Sequence, residues 1–358
     1  MGLPFSVLIG FLSLVWLGLM LINAAGLARS KEGHQKVLRK PKVLVMVPCR
    51  GAELTLMENL ESLKKQDYED YDVVAIVDDK NDKAIHAIKA ARIRWIVSSK
   101  TNTGGGGKVR AMLTAMRRFR NYDVYVNIDS DVSCKKNHIS ELVAPLSDRN
   151  VGVSTAYPYF MPLQGFWSVV KMVWGFVGNG MMESKFTRFV WGGSMAFRKN
   201  LMNNNELEVF GRALSDDMVI AHFAKKKGLR IFYVNKGTIV VNTKETVQRL
   251  IEWSNRQTAL SILGNRRVLY YGVAFYFAQA LLLAFGIALS FVSPSYIILL
   301  APFVIGVAKT YRRANRAYLS ILPICFMINF LFLANLLVAA RMTHIDWRGS
   351  RYRLQNPF

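Results

Sequence analysis

Long apolar stretches divide the chain into its main parts. Three stretches contain no Asp, Glu, Lys or Arg, and they cover residues 1–28, 268–308 and 317–340. Because a helix needs about 20 apolar residues to span a bilayer, the first and the last predict one span each. The middle stretch predicts a full span near 270–292, and its remainder, 295–308, contains Pro302 and is either a further span or a re-entrant segment. We therefore expect an N-terminal transmembrane anchor over 1–28 and a C-terminal transmembrane region over 268–341.

The segment between these stretches alternates between two hydrophobic patterns. Short apolar runs predict strands at Val43–Val47, Asp72–Val77, Ile93–Val97 and Val124–Ile128. Helical spacing of apolar residues predicts helices between them, at Glu53–Lys65, Asp82–Ala91 and Lys108–Phe119. This alternation predicts an α/β fold with a mostly parallel sheet and helices on both faces. Ligands of such folds bind beyond the carboxyl ends of the strands, so the residues that follow each strand are the candidates for chemistry.

Composition excludes several classes of protein. Hydrophobic residues make up 52% of the chain and charged residues 20%, and the mean hydropathy is +0.18. These values exclude a disordered chain and disfavour a wholly soluble protein. The three cysteines are too widely spaced for a disulfide scaffold or a structural zinc site. Lys and Arg number 47 against 24 Asp and Glu, a net charge of +23, which predicts an anionic partner.

The basic residues cluster at the ends of the apolar stretches, at 29–42, 309–316 and 341–353. This placement is typical of contact with an anionic phospholipid surface, and it argues against a nucleic-acid partner. The first cluster puts residues 29–267 on the cytoplasmic side of the membrane. The other two cannot both lie on that side if one span separates them, so the side of the C-terminus stays open. A cleaved signal peptide is the alternative for 1–28, and the absence of Lys or Arg before its apolar core disfavours it.

Carboxylates and glycines follow three of the predicted elements. Asp129 and Asp131 come directly after a strand, and alternation in an extended segment would turn both toward one side. Two such oxygen ligands suit Mg²⁺ or Mn²⁺, with water and substrate phosphates completing the coordination; an Asx turn is the alternative. Asp78-Asp79 follows another strand. The run Gly104–Gly107 before Lys108 fails the P-loop pattern, yet backbone N–H groups there can hold a phosphate, unless the run is only a flexible loop.

Two helical segments further along carry additional candidates. Asp216-Asp217 opens a helical pattern, where capping is the alternative to catalysis. Residues 163–178 are almost wholly apolar, with Trp167, Trp174 and a single charge at Lys171. This pattern predicts an interfacial helix at the bilayer, and a buried core helix is the alternative. An interfacial helix would bring the catalytic segment close to a lipid acceptor.

The order of these motifs is specific. It runs through Pro48–Gly51, Asp78-Asp79, Gly107-Lys108, Asp129–Asp131, Trp191–Ser194, Ser215–Asp217 and Arg249–Trp253. Over residues 41–260 the chain resembles the GT-A glycosyltransferases of family 2, within them the ceramide-glucosyltransferase-like branch, and Trp347–Arg353 resembles the tail of that branch. The resemblance implies a membrane-bound inverting enzyme that moves one sugar from a nucleotide-sugar donor, a UDP-sugar first, to a lipid hydroxyl of ceramide, diacylglycerol or a similar lipid, with Mn²⁺ or Mg²⁺. The alternatives are a processive polysaccharide synthase, a polyprenyl-phosphate glycosyltransferase and, from another class, a non-catalytic membrane scaffold.

The resemblance also implies roles for individual residues. The expected nucleotide-sugar-binding residues are Arg50, Glu53, Asp78, Asp79, Lys108, Asp129, Gly192, Gly193, Ser194, Arg249, Trp253 and Arg256. Asp131 is the expected direct metal ligand, with Asp129 beside it. Asp217 matches the general base, whereas Asp216 is a second catalytic candidate that the helix start favours as a cap.

The chain departs from the family pattern at one position. Glu252 stands where the (Gln/Arg)-x-x-Arg-Trp motif has its arginine. Arg256, one helical turn later, is placed to pair with Glu252 or to replace the missing contact with the diphosphate. The implied organisation is a cytoplasmic GT-A catalytic domain over 29–267 with interfacial helices near 163–178 and 246–263, and a basic C-terminal tail over 342–358.

Overall fold

The computed structural model describes residues 5–25, 40–99, 105–314, 320–347 and 349–355. Most of the basic cluster at 29–42, together with Gly104 and Arg348, lies outside the described residues. The chain divides into two compact units. The first, which we call the apolar unit, comprises Met1–Ser30, Gln164–Gly180 and Lys244–Thr343. The second, the sheet unit, comprises Lys31–Leu163, Met181–Thr243 and His344–Phe358.

The strands of the described chain are numbered here in sequence order. They are β1 Val43–Cys49, β2 Tyr71–Val77, β3 Arg94–Val97, β4 Val124–Ile128, β5 Val132–Cys134, β6 Val151–Thr155, β7 Tyr159–Gln164, β8 Ser194–Arg198, β9 Arg230–Tyr233, β10 Ile239–Lys244, β11 His344–Trp347 and β12 Ser350–Arg353. The helices are α1 Phe5–Ala25, α2 Leu56–Lys64, α3 Ala84–Ala90, α4 Gly107–Arg118, α5 His138–Val143, α6 Phe166–Glu183, α7 Asn204–Gly211, α8 Asp216–Lys226, α9 Val247–Gly264, α10 Arg267–Ser290, α11 Ala301–Arg313 and α12 Ile321–Ala339.

A seven-stranded sheet forms the centre of the sheet unit, in the order β3-β2-β1-β4-β8-β6-β9. Strands β3, β2, β1 and β4 pair in parallel, β6 and β9 do the same, and β8 runs antiparallel between β4 and β6. A smaller sheet has the order β5-β10-β7, and β11 pairs with β12. The predicted α/β fold with a mostly parallel sheet is confirmed, and the carboxyl ends of β1, β2 and β4 lie along one edge.

The sheet unit holds its elements together by apolar burial. Strand β4 is buried along its whole length, and β1 is buried at all but one position. Helix α4 packs its apolar face on β1 and β2 through buried residues that include Val109, Met112 and Met116. Their spacing of three and four residues puts them on one side of the helix, so the local pattern alone directs α4 onto the sheet.

One local expectation is wrong. Asp129, Ser130 and Asp131 do not continue the strand as an extended segment, because the N–H of Val132 donates to the carbonyl of Asp129 at 3.0 Å and closes a turn. Strand β5 begins directly afterwards. The backbone here is a β-turn closed by a main-chain hydrogen bond, and strand alternation does not set the directions of the two carboxylates.

The apolar unit contains helices that are long and apolar enough to cross a membrane. Among the described residues four segments qualify, and they are Phe5–Ile22, Arg267–Ser290, Pro294–Arg313 and Ile321–Ala339. The first, second and fourth correspond to the predicted spans. The third contains the ambiguous stretch 295–308, which the structure includes in a 20-residue helical run made of a 3₁₀ segment and α11.

The central part of helix α6 is buried. Residues from Ser168 to Phe176 are all buried, which favours the core-helix alternative. The charge of Lys171 is compensated by Glu245, with Nζ and Oε1 2.6 Å apart and side chains only 10% and 11% exposed. A buried lysine needs such a partner because an isolated charge in an apolar interior is strongly unfavourable.

Candidate active site

The candidate site is built at the carboxyl end of β4. Asn127, the polar residue within this strand, is fully buried and donates from Nδ2 to the carbonyl of Gly192 at 2.6 Å. The N–H of Asp129 donates to the carbonyl of Gly193 at 3.0 Å. These two bonds attach the loop Trp191–Ser194 to the strand that carries Asp129, so loop and carboxylate form one rigid assembly.

Lys108 links two of the predicted carboxylates. Its Nζ lies 2.7 Å from Oδ1 of Asp129 and 3.1 Å from Oδ2 of Asp216. The side chains of Lys108 and Asp216 are 11% and 6% exposed, whereas that of Asp129 is 30% exposed. The ammonium group is therefore held between the buried carboxylate of Asp216 and the more accessible carboxylate of Asp129.

The charges of this cluster perturb each other. Burial raises the pKa of Asp216 to about 6, with Lys108 opposing the rise and Asp217 and Asp129 adding to it. Burial lowers the pKa of Lys108, but Asp129 and Asp216 outweigh that effect and leave it above its ordinary value. The single ammonium group of Lys108 therefore interacts with three carboxylates, those of Asp129, Asp216 and Asp217. The cluster carries an excess of negative charge, which favours binding of a cation.

Asp217 is held differently from Asp216. Its Oδ1 accepts from the N–H of Met218 at 2.8 Å and from the hydroxyl of Ser215, and its Oδ2 accepts from the N–H of Gly192 at 3.2 Å. The expectation that Asp216 caps helix α8 is wrong. Asp217 makes the backbone contacts at the helix start, because Asp216 turns into the interior toward Lys108.

The loop glycines allow this close packing. A Cβ atom on Gly192 would lie 2.7 Å from Oδ2 of Asp216 and 3.0 Å from Nζ of Lys108. A Cβ on Gly193 would lie 2.2 Å from the Trp191 ring. Any larger residue at either position would displace the ion pair or the indole, so both positions require glycine.

Ser194 lies behind the site. It is fully buried, and its hydroxyl lies 2.9 Å from Nε2 of His138, whose Nδ1 is 2.8 Å from the hydroxyl of Thr238. Burial lowers the pKa of His138 to about 3, so the imidazole is neutral. These contacts favour a supporting position for Ser194 beneath the loop.

The ends of β1 and β2 form a second group of charges. Asp78 pairs with Arg110 at 3.3 Å and with Arg50 at 3.9 Å. Asp79 is exposed and accepts from the N–H of Asn81 at 2.8 Å. Glu53 is half-buried just before α2. Of the two aspartates, the structure thus connects Asp78 to the arginines, whereas the family pattern favours Asp79.

Asp131 is half-buried in the turn after β4. In the part of the chain that the structure describes, no three His, Cys, Asp or Glu side chains are grouped as ligands for a metal ion. The turn therefore offers two carboxylates, Asp129 and Asp131, as protein ligands.

The residues of the C-terminal motif belong to the apolar unit. Trp253 contacts the ring of Trp174, with centroids 4.7 Å apart, and Nζ of Lys171 lies 4.4 Å from its centroid. Glu252 accepts from Nε2 of Gln248 at 3.0 Å. Arg249 and Arg256 lie on the same helix, α9. The donor-binding roles of Arg249, Trp253 and Arg256 stay predictions.

Sequence reasoning missed several residues of the site. Asn127 had a signal, since it is the one polar position within an apolar strand. Arg110 and His138 had none, because a basic residue on a helix and a lone histidine are common on surfaces. Their importance follows from which side chains they meet across the fold.

One known glycosyltransferase structure shares this fold. A mannosyltransferase from Pyrobaculum calidifontis, in complex with GDP-Man and Mn²⁺, superposes with a TM-score of 0.54 and 16% identity, over 92% of this chain and 95% of its own. Glucosyl-3-phosphoglycerate synthase from Mycobacterium tuberculosis, in a complex with Mn²⁺ and UDP, is more distant, with a TM-score of 0.41, 14% identity and coverage of 69% and 83%. The first likeness shows a common fold, and no curated protein sequence matches the chain.

The family assignment rests on the sequence as a whole. The sequence model of glycosyl transferase family 21 matches residues 7–357, which is nearly the entire chain. This match confirms the resemblance to the ceramide-glucosyltransferase-like branch and the expectation of a glycosyltransferase. With its mostly parallel sheet, its carboxylates at the strand ends and its apolar helices, the chain belongs to glycosyl transferase family 21.

Proposed function

We propose that this enzyme transfers one sugar from a nucleotide-sugar donor, first of all a UDP-sugar, to the hydroxyl group of a membrane lipid such as ceramide or diacylglycerol, with Mn²⁺ or Mg²⁺. The observation that carries the proposal is the cluster at the end of β4, where Lys108 joins Asp129 and Asp216 in a family of glycosyltransferases. The mannosyltransferase of the same fold binds GDP-Man and Mn²⁺, which supports a metal-dependent nucleotide-sugar donor here.

The donor set fits Mn²⁺ or Mg²⁺. Asp129 and Asp131 supply hard carboxylate oxygens, and Mg²⁺ is commonly bound by one or two carboxylates together with substrate phosphates and water. The excess negative charge around Lys108 favours a cation beside Asp129. When bound, the ion neutralises charge on the departing nucleoside diphosphate. Asp131, in the turn and only half-buried, is the proposed direct ligand.

The groups at the ends of β1 and β2 suit the nucleotide part of the donor. Arg50 and Arg110 bring two positive charges to the single carboxylate of Asp78. The first turn of α4 lies beside them, since Asp78 Oδ2 is 3.7 Å from the Cβ position of Gly107. Arginines and a helix N-terminus both favour phosphate groups, so these residues would bind the diphosphate of the donor.

Asp217 is the proposed general base. Its carboxylate is fixed in position by N–H groups on both sides, from Gly192 and Met218. A base held in this way can remove the proton of an acceptor hydroxyl during attack on the sugar, and direct displacement inverts the anomeric centre. Asp216 instead positions Lys108, which in turn holds Asp129.

Several features support a lipid acceptor on the cytoplasmic side. Four described segments are apolar enough to cross a bilayer, so the enzyme works at a membrane. The basic cluster at 29–42 favours the cytoplasmic side for the catalytic segment, and Arg312 at the exposed end of α11 suits an anionic phospholipid surface. Glu252 in place of the motif arginine supports transfer of a single sugar over processive synthesis.

The test uses the full chain purified in detergent. It is incubated with labelled UDP-glucose, UDP-galactose or GDP-mannose, Mn²⁺ and a total lipid extract, and the labelled products are separated by thin-layer chromatography. We expect a labelled neutral glycolipid that disappears with EDTA and with Asp131→Asn, while the exposed control Asp70→Asn retains activity.

Other products would point to other functions. A labelled polymer would favour a polysaccharide synthase, and a labelled polyprenyl phosphate would favour the corresponding transferase. Absence of any labelled product from the folded protein with all three donors would refute the proposal, as would full metal-dependent activity of Asp131→Asn.

A further inference from the structure

The chain returns to the sheet unit after its last apolar helix. Strands β11 and β12 form a hairpin in which Ile345 pairs with Tyr352 and Trp347 with Ser350, and Gly349 occupies the turn with φ +74°. Ile345 is 1% exposed, whereas His344, Asp346, Arg351 and Arg353 are exposed. The hairpin therefore has a buried face and a charged outer face. A two-stranded hairpin is marginally stable alone, so the surface beneath its buried face holds it in place.

That surface is the group of charges at the ends of β1 and β2. Nη1 of Arg50 donates to the hydroxyl of Ser350 at 3.3 Å and also pairs with Asp78. The hydroxyl of Tyr352 lies 3.7 Å from the Cβ position of Gly107, and Asp78 Oδ2 and Arg110 Nη2 lie 3.7 and 3.8 Å from the same point. Tyr352 thus lies near the first turn of α4, and Ser350 contacts Arg50 at the end of β1, although the hairpin is more than 200 residues away from both in the sequence.

We propose that this C-terminal hairpin is part of the donor site, with the hydroxyl of Tyr352 binding the diphosphate of the nucleotide sugar and Ser350 positioning Arg50 for the same group. The proposal rests on the proposed function. The chemistry is that of an anion site, because two guanidinium groups and a helix N-terminus surround a single carboxylate. A phenol hydroxyl donates a hydrogen bond to a phosphate oxygen and carries no charge that would compete with the metal.

The same placement restricts how the chain crosses the membrane. Because the hairpin contacts residues of the sheet unit, the segment that leaves this unit at Thr243 and returns at His344 ends on the side where it began. We therefore infer that it crosses the bilayer an even number of times. Of the three C-terminal candidate segments, Arg267–Ser290, Pro294–Arg313 and Ile321–Ala339, at most two are full spans, and the third enters the bilayer without crossing it.

Binding measurements test the contribution of Tyr352. Titration calorimetry with the full chain in detergent uses UDP and GDP as probes, each with Mn²⁺. For the nucleotide that the wild-type protein binds, we expect Tyr352→Phe to weaken affinity about tenfold, as loss of one hydrogen bond to a charged group implies. The donor KM should rise while the lipid-acceptor KM is unchanged. Asp346→Asn, on the exposed outer face of the hairpin, is the matched control and should leave both unchanged.

The outcomes separate the two proposals. If the wild-type protein binds neither nucleotide, the proposed function fails and the hairpin proposal fails with it. If the wild-type protein binds one of them and Tyr352→Phe binds equally well with unchanged donor KM, the hairpin proposal alone is overturned. Thermal unfolding of both variants checks that the hairpin change has not unfolded the protein.

Labelling from one side of the membrane tests the crossing number. A cysteine introduced by Asp346→Cys in the hairpin is compared with one introduced by Lys80→Cys in the sheet unit, both at exposed positions. The native cysteines are buried and provide a low background. In sealed vesicles of one orientation, an impermeant maleimide should label both variants or neither. Labelling of only one of them would put the hairpin on the opposite side and overturn the proposal.

Discussion

Asp216→Asn should make the protein more stable at neutral and alkaline pH. The carboxylate of Asp216 is 4% exposed and is surrounded by Asp129 and Asp217, with Lys108 as the compensating cation. Asparagine has nearly the shape of a protonated aspartic acid, so this change reproduces the neutral form of the side chain. A capping role for Asp216 would predict the opposite result, a loss of stability on substitution.

The magnitude follows from the pKa. Burial raises the pKa of Asp216 from 3.8 to about 6, so ionisation is less favourable in the folded protein than in the unfolded chain. At 1.36 kcal/mol per pKa unit, this difference corresponds to about 3 kcal/mol. Because the folded pKa is the higher one, the stabilisation by the protonated form is complete below pH 4 and is lost as pH rises through about 6.

Thermal unfolding in detergent between pH 4.5 and 8.5 measures the effect. The unfolded chain ionises near pH 3.8, so about 1 kcal/mol of this difference is already present at pH 4.5 and about 2 kcal/mol develops between pH 4.5 and 8.5. At roughly 2–4 °C per kcal/mol, the Tm of Asp216→Asn should exceed that of the wild-type protein at pH 8.5 by roughly 4–8 °C more than at pH 4.5. The exposed Asp70→Asn serves as control. Lys108→Met should act in the opposite direction and lower Tm, because it leaves two carboxylates without their cation. A Tm difference that stays constant with pH, or that falls as pH rises, would refute this account of the cluster.

Three further predictions concern neighbouring residues. Asp217→Asn should lower turnover about 10²–10⁴-fold, the usual contribution of a general base, with unchanged nucleotide affinity by calorimetry; near wild-type turnover would contradict its role. Gly192→Ala should reduce activity and Tm, because its Cβ would lie 2.7 Å from Asp216 Oδ2, whereas Gly306→Ala has nothing within 4 Å and should behave as wild type; equal behaviour of the two variants in activity and thermal unfolding assays would argue against the close packing. His138→Gln should lose less stability on acidification than the wild-type protein. Burial lowers the pKa of His138 to about 3, so the wild-type protein loses about 2 kcal/mol through this group between pH 6.5 and 4.5; parallel Tm curves over that range would contradict this.

The order of elements and the presence of membrane helices could be predicted from the sequence. Residues 124–128 form a strand as predicted, and α4 begins and ends within one residue of the predicted bounds. The apolar stretches contain the candidate spans. These predictions succeed because hydrophobic periodicity and the length of an apolar run are local properties. Asp78, Asp129 and Asp131 were also predictable as site candidates, since they follow strands whose carboxyl ends meet at one edge.

The directions of individual side chains required the tertiary structure. Asp216 and Asp217 are adjacent at one helix start, and only the position of Lys108 determines that the first turns inward while the second accepts the backbone N–H groups. The turn at Asp131 likewise replaces the extended segment that local alternation suggests.

Long-range packing determined the remaining features. The sequence of helix α6 alone favours an interfacial helix. In the structure its lysine, Lys171, pairs with Glu245, which lies 74 residues later in the chain. The sequence of the C-terminal hairpin alone predicts only a basic tail. In the structure Ser350 accepts a hydrogen bond from Arg50, which lies 300 residues earlier in the chain. The physical reason is the same in both cases. Apolar periodicity specifies which face of an element is buried, but the free energy of a buried charge or hydroxyl depends on its partner, and in these cases the partner comes from a distant part of the chain.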